Sequence, residues 1–325
     1  MLAFVIYVGW MASTWAFHDL PWWIHVMLGS WLIAWHGSLQ HETIHGHPTR
    51  WSLLNRIIGE VPLSLWLPYG IYRESHIKHH KSDLTDPDDD PESFYLTAQA
   101  WSRLGPAGRA THWVYATMVG RMLLYPIVSV VHCIRSEITR LARGDRSHLR
   151  HWAVHVLATA AVLGWVMGVC QIPLWAYLLL YVYPGQALSS LRSYAEHRVH
   201  PDPEQRTIVV ESKLLGLLFL NNNLHALHHR WPRLAWYNYL AVYRSRREQI
   251  LQRNGHYWFS SYVSLFRRYG FVPKQSPVTG PRGQPVLDDR PGDIEVAATP
   301  LAPPPIEHNW SGAIPSLGVT PSAPQ

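Results

Sequence analysis

Three short histidine clusters, set between long apolar runs, constrain the fold of this chain more than any other feature. They are His41-Glu42-Thr43-Ile44-His45 with His47 close behind, His76-Ile77-Lys78-His79-His80, and His225-Ala226-Leu227-His228-His229. Residues three and four apart share a face of a helix, so each cluster can aim two or three imidazoles at one point. Core packing gives no reason to bring about eight imidazoles together, whereas neutral imidazole is a common transition-metal ligand.

The runs between the clusters read as membrane segments. The chain has 325 residues, 47% hydrophobic and only 15% charged, with 17 Trp and 16 Tyr of the kind that collects at membrane interfaces. Its mean hydropathy of -0.09 averages in a polar, Pro-rich tail and many histidines, so local windows carry more weight. Residues 1–17 reach about 25 Å as a helix, enough to cross the hydrocarbon with little tilt. After a turn at 18–21, residues 22–40 lead back and deliver the first cluster to their far end. Residues 152–169 and 172–188 form a second hairpin, turned at 171–173. The expected fold is therefore an all-α integral membrane protein, with two transmembrane helical hairpins (about four spans) and a cytosolic helical cap carrying the histidine boxes.

The remaining segments fit around this frame. The broken apolar run 56–72, with Gly59, Pro62 and Pro68, is expected to be interfacial or re-entrant. The run 111–132 carries Arg121 mid-way, and a charge at the bilayer centre costs about 3 kcal/mol or more, which favours a surface-lying helix. Residues 214–224 are too short to span and should lie under the third cluster. The acidic stretch 83–92 (DLTDPDDDPE) reads as a solvated loop. The membrane domain is expected over 1–272, and the Pro-, Gly- and Ser-rich residues 273–325 as a disordered tail.

Charge sets the expected orientation. The two outer turns hold no Lys or Arg, while the cluster-bearing segments, Arg135 to Arg150 and Arg244 to Arg253 hold nearly all of them. By the positive-inside rule the clusters face the cytoplasm, in the inner or cell membrane if the source is bacterial. The net charge of +6 is thus an orientation signal, and no nucleic-acid partner is expected. The first basic residue is Arg50, so the opening run reads as a mature span, not a removable signal.

Two cysteines, Cys133 and Cys170, cannot build a disulfide framework, an iron–sulfur site or a Cys-type zinc site, so any metal must sit on histidine and carboxylate. Three readings compete. His41-Glu42-Thr43-Ile44-His45 is a His-Glu-x-x-His sequence, the signature of zinc proteases with Glu42 as general base, but that chemistry leaves the later clusters without a task. A carboxylate-type di-iron site needs two Glu-x-x-His pairs, and only Glu42 with His45 provides one. A histidine-rich pair of metal ions uses all three clusters.

At this point the chain resembles the membrane fatty acid desaturase/hydroxylase superfamily, integral-membrane non-haem di-iron enzymes marked by three histidine boxes, here HETIH, HIKHH and HALHH. The resemblance covers residues of about 35 to 240, in order and spacing. It implies a ligand set of His41 and His45; His76, His79 and His80; His225, His228 and His229; and His197 from Ser193-Tyr194-Ala195-Glu196-His197. His47 could replace His45 in the tight first box. Glu42, Glu196 and Asn221 are candidates for metal binding or for orienting the rings, and Asn221, Asn222 and Asn223 could together orient the third box through hydrogen bonds to its imidazoles. The resemblance further implies two iron ions, O2 as co-substrate and a lipid or fatty acyl chain oxidised at an unactivated C–H bond. Desaturation is the leading outcome and hydroxylation the nearest alternative. No haem-binding, Cys-cluster or dinucleotide motif is present in the chain, so electrons are expected from a separate ferredoxin, rubredoxin, or cytochrome with its reductase.

Overall fold

The computed structural model describes residues 1–280, and within them the chain is mostly helical, 65% of it, with two short strands. Helix α1 (Leu2–Trp15) and α2 (Trp22–Ile44) form the first hairpin. His25 closes it: one ring nitrogen lies 3.0 Å from the Phe17 carbonyl and the other 2.9 Å from the Tyr181 hydroxyl. A histidine inside the proposed span is thus a strut between helices. His36 is likewise buried, 3.2 Å from the Tyr7 hydroxyl.

Helix α3 (Ser52–Glu60) and α4 (Tyr69–His79) flank the expected re-entrant segment, whose irregular middle includes Leu65 and Leu67 at positive φ. Short helices α5 (Ala98–Ser102) and α6 (Pro106–Tyr115) precede α7 (Met118–Ala142). The expectation of one surface helix over 111–132 is corrected here. The chain breaks at Ala116-Thr117, where the Thr117 hydroxyl caps the Gly120 amide, so Arg121 falls in the first turn of α7 and not in its middle. Its guanidinium lies 3.8 Å from the Phe94 ring and 4.1 Å from the Tyr115 ring, buried in an aromatic box. The charge that argued against a span is therefore sequestered.

Helix α8 (Leu149–Leu163) runs on as a π-helical turn to Val169. Past a turn at Cys170 to Pro173 the chain returns through α9 (Leu174–Tyr177), a second π-helical turn and α10 (Tyr183–Glu196). Two helical stretches, Met118–Ala142 and Leu149–Val169, are long and apolar enough to cross a membrane. Exposed apolar side chains run along α7 at Leu123, Ile127, Val131, Ile134, Ile138 and Leu141, a face suited to lipid.

The two hairpins meet closely. A Cβ on Gly29 would lie 2.7 Å from the Tyr181 ring, and one on Gly185 2.4 Å from Ile33 Cβ. Ile6, Trp10, Ile33, Leu63, Tyr177 and Tyr181 form the core at this contact, and the Trp10 indole donates to Tyr177, whose hydroxyl donates to the Leu63 carbonyl at 2.6 Å. Beyond α10 the chain forms a small hairpin, with His197 bridged to Thr207, and then α11 (Leu214–Leu218), α12 (His225–Arg230), α13 (Trp236–Arg253) and α14 (Tyr262–Tyr269). Val209–Val210 and Trp258–Phe259 pair as two short parallel strands. Residues 274–280, expected in the disordered tail, are instead packed onto the fold: Leu96 pairs with Val278, and Thr279 donates to the Leu96 carbonyl. The rest of the tail expectation, over 281–325, lies outside the described residues.

Candidate metal centre

Each histidine box sits at or near a helix end, which lets the rings leave the helix and converge. His41 and His45 close α2, His76, His79 and His80 close α4, and His225, His228 and His229 form α12. His197 follows α10 in extended backbone. Two groups result: His41, His45, His76 and His228, and His79, His197, His225 and His229, each with its four ligand atoms within 4.8 Å of one another. His80 is the ninth ring. Its Nε2 lies 3.1 Å from that of His76 and 3.0 Å from that of His228, so it belongs with the first group, while its ring packs 4.5 Å from that of His229.

Helical geometry explains the sorting. A residue four positions on is rotated by about 40° and one three positions on by about 60° the other way. In α4 the pair His76 and His80 serves one group and His79 the other; in α12 the pair His225 and His229 serves one and His228 the other. Boxes two and three therefore each contribute to both groups.

The second nitrogens are tied down. His79 Nδ1 donates to Asp90 at 2.8 Å, His76 Nδ1 to Glu92 at 3.2 Å, His225 Nδ1 to the Asn222 side-chain oxygen at 3.1 Å, and His228 Nδ1 to the Tyr239 hydroxyl at 3.1 Å. With the proton held on Nδ1, each Nε2 presents a lone pair. The Nε2 atoms of the boxes face one another and that of His197: His45 to His76 at 3.0 Å, His197 to His79 at 3.1 Å and His225 to His197 at 3.1 Å. Nitrogens so close must share either a proton or a cation. Two ligands at right angles on an ion with bonds of about 2.1 Å would sit about 3.0 Å apart, so the spacing fits first-row metal binding.

The electrostatics agree with a neutral, ligand-ready set. Burial, reinforced by neighbouring imidazoles, pushes His45 and His80 down to about 2, and holds His41, His76, His197, His225, His228 and His229 well below the ordinary histidine range. His79 is the exception: burial opposes its charge, but the bond to Asp90 and the nearby Glu92 outweigh that and raise it to about 9.

The remaining candidates separate cleanly. His47 lies outside both groups, 3.0 Å from the Arg233 carbonyl, so the structure brings in His45 and not His47. Glu42 is buried, 3.9 Å from His41 Nδ1, and accepts from the Trp236 amide at 3.4 Å; burial raises its carboxyl to about 8. Glu196 takes an ion pair from Arg192 at 3.0 Å and stands 3.4 Å from His225 Nδ1. Asn221 is a correction. It adopts φ 58 and donates to the Trp236 carbonyl, and its neighbour Asn222 is the one that contacts His225 and Glu196.

The acidic stretch, expected to be solvated, is the larger surprise. Asp90 is buried and Glu92 half-buried, each against a histidine, while Asp83 pairs with the buried Arg206 to tie the stretch to the 197–207 hairpin. The one sequence signal for this was the run of carboxylates beginning just after the second box.

A helical chain with lipid-suited apolar faces, gathering nine buried or half-buried imidazoles into two adjoining groups that could each hold a metal ion, has the make-up of a membrane metalloprotein. The chain belongs to the fatty acid desaturase family, whose model, Fatty acid desaturase, matches residues 2–261. No individual curated protein matches the chain closely enough to narrow this further. A family oxidoreductase of the desaturase/hydroxylase type is thereby established, and the family generally uses two irons.

Proposed function

We propose that the protein is an O2-dependent, di-iron fatty acyl desaturase, with one iron held by His41, His45, His76, His80 and His228 and the other by His79, His197, His225 and His229. The observation that carries this is the convergence of imidazoles into two groups, with ligand atoms in each quartet no more than 4.8 Å apart. When bound, the iron pair supplies the chemistry that activates O2 and removes hydrogen from an unactivated methylene. The residues of this chain do the rest. Asp90, Glu92, Asn222 and Tyr239 hold the Nδ1 protons, which keeps each Nε2 free to ligate. Burial of His41, His76, His79, His225 and His228 keeps bulk water from much of the ligand set.

The two hairpins are proposed to span the membrane and to set the boxes at its cytoplasmic face, as the distribution of Lys and Arg implies. An acyl chain can then be offered from the bilayer while a separate soluble or membrane carrier delivers electrons. Removal of two neighbouring hydrogens gives the double bond, and the position of the chain to within about an ångström decides between this and hydroxylation.

The test is metal analysis of the purified protein together with lipid profiling of expressing cells, against His228→Ala. Two irons per chain and new unsaturated acyl species, both lost in the variant, are expected. One zinc and an unchanged profile would instead favour a hydrolase reading built on His41-Glu42-x-x-His45, and hydroxylated lipids would shift the assignment within the family.

A further inference from the structure

Among the ring nitrogens turned away from the two groups, His197 Nδ1 stands out: it is buried and makes no hydrogen bond, whereas the same atom of His76, His79, His225 and His228 is held by a side chain. Nor is the ring carried within a helix, since His197 is the extended residue that ends α10, with φ -124 and ψ 147. Its orientation must be fixed through the main chain. The terminal carbonyls of a helix lack intrahelical partners, and here they gain one from a segment beyond the end of the family match. The ammonium of Lys274 donates to the carbonyls of Tyr194 at 2.6 Å, His197 at 2.5 Å and Ala195 at 3.4 Å.

The neighbours of Lys274 extend this grip in both directions. Gln275 accepts from the Val199 amide at 2.7 Å and donates to the Val199 carbonyl at 3.0 Å, bracketing His197 from the other side. The same Gln275 oxygen accepts from the Tyr95 hydroxyl at 3.0 Å, and Leu96 donates to the Pro277 carbonyl at 2.9 Å. The strap 273–280 thus fastens the His197 segment to the end of the acidic stretch.

We propose that Lys274 is a positioning residue for the second metal centre, holding the His197 ring in place through the backbone carbonyls at the end of α10, with Gln275 as its partner on the strap. This rests on the di-iron reading above. Because His197 serves the second group alone, disturbing Lys274 should loosen one ion and spare the other.

The experiment follows iron release to a chelator from the full-length, iron-loaded protein in detergent, with the two sites distinguished by Mössbauer spectroscopy. Lys274→Met is expected to speed release of one iron by at least about tenfold, the scale for loss of an outer support of a metal ligand. The other iron should be unchanged, as should the helical circular dichroism. If Lys274→Met cannot be recovered folded, Gln275→Ala should give a smaller acceleration of the same iron alone. Equal loss of both irons, or wild-type release in a folded variant, overturns the role of the strap. A wild-type protein that holds no pair of irons overturns the di-iron reading itself, which separates the two failures.

Discussion

Replacing Asp90 tests whether the acidic stretch serves the metal centre. Its carboxylate accepts three hydrogen bonds: from His79 Nδ1 at 2.8 Å, the Glu92 amide at 2.9 Å and the Thr85 amide at 3.2 Å. Asp90→Ala strands two backbone donors in a buried site, at about 1–3 kcal/mol each, and frees the His79 ring. Outer supports of metal ligands are worth about 10–100-fold in affinity, so the ion shared with His79 should weaken by up to about 100-fold. Asp90→Asn keeps an oxygen for His79 and Glu92 but loses the negative charge that makes the bond to His79 strong, and turns a donor toward Thr85. It should cost about tenfold in affinity with a smaller loss of stability. Chelator competition on the iron-loaded protein measures the first quantity and thermal unfolding of the metal-free protein the second. An alanine variant that binds iron as tightly as the parent would refute the argument that Asp90 orients His79.

Three further outcomes follow from the same geometry. Stripped of metal, the protein should lose stability as the pH falls below about 6.5, because unfolded His45 and His80 take up protons there while the folded rings, depressed to about 2, do not; each adds a slope of about 1.4 kcal/mol per pH unit. His79, raised to about 9, works in the opposite sense, with stability present below 6.5 and lost as pH rises through 9, so melting temperatures measured from pH 7.5 down to 5.5 should show the net decline set by the more numerous depressed rings. Asn222→Ala should lower iron occupancy by about tenfold, whereas Asn221→Ala should leave it unchanged and cost only loop stability, as elemental analysis and unfolding would report. Gly185→Leu should disrupt the hairpin contact by several kcal/mol, seen as loss of folded yield, since even a Cβ there meets Ile33.

Much of the site was legible because it obeys a period. The i, i+3 and i+4 spacing of His76, His79 and His80, and of His225, His228 and His229, announced helices with converging faces, whereas apolar length set the expected ends of the hairpins at 40 and 188 too early, since the helices run on to Ile44 and Glu196. What escaped reading has no period. Asp90 and Glu92 reach back eleven and sixteen residues to their histidines through irregular backbone, so their burial depends on tertiary closure alone. Asn221, Asn222 and Asn223 are equivalent candidates by sequence, and two left-handed residues, Leu220 and Asn221, form the turn that leaves Asn222 facing the imidazoles. Arg121 looked prohibitive for a membrane helix because the break at Ala116-Thr117 was invisible beneath uniform apolarity. The strap at 274–280 was hidden by a composition that, over the longer tail, is too poor in apolar residues to suggest packing.

An all-imidazole coordination sphere donates electron pairs but no formal charge. Two divalent ions would therefore place four positive charges among neutral rings, and counter-charge must come from outside: Asp90 and Glu92 stand against ligand rings, whereas Glu196 is already shared with Arg192 and Glu42, raised to about 8, is mostly uncharged at neutral pH. Ions held here would meet less compensating charge than in a site ligated by carboxylates, so such a shell would favour the lower oxidation state of whatever metal it holds, and Asp90 and Glu92 would tune that preference from outside it.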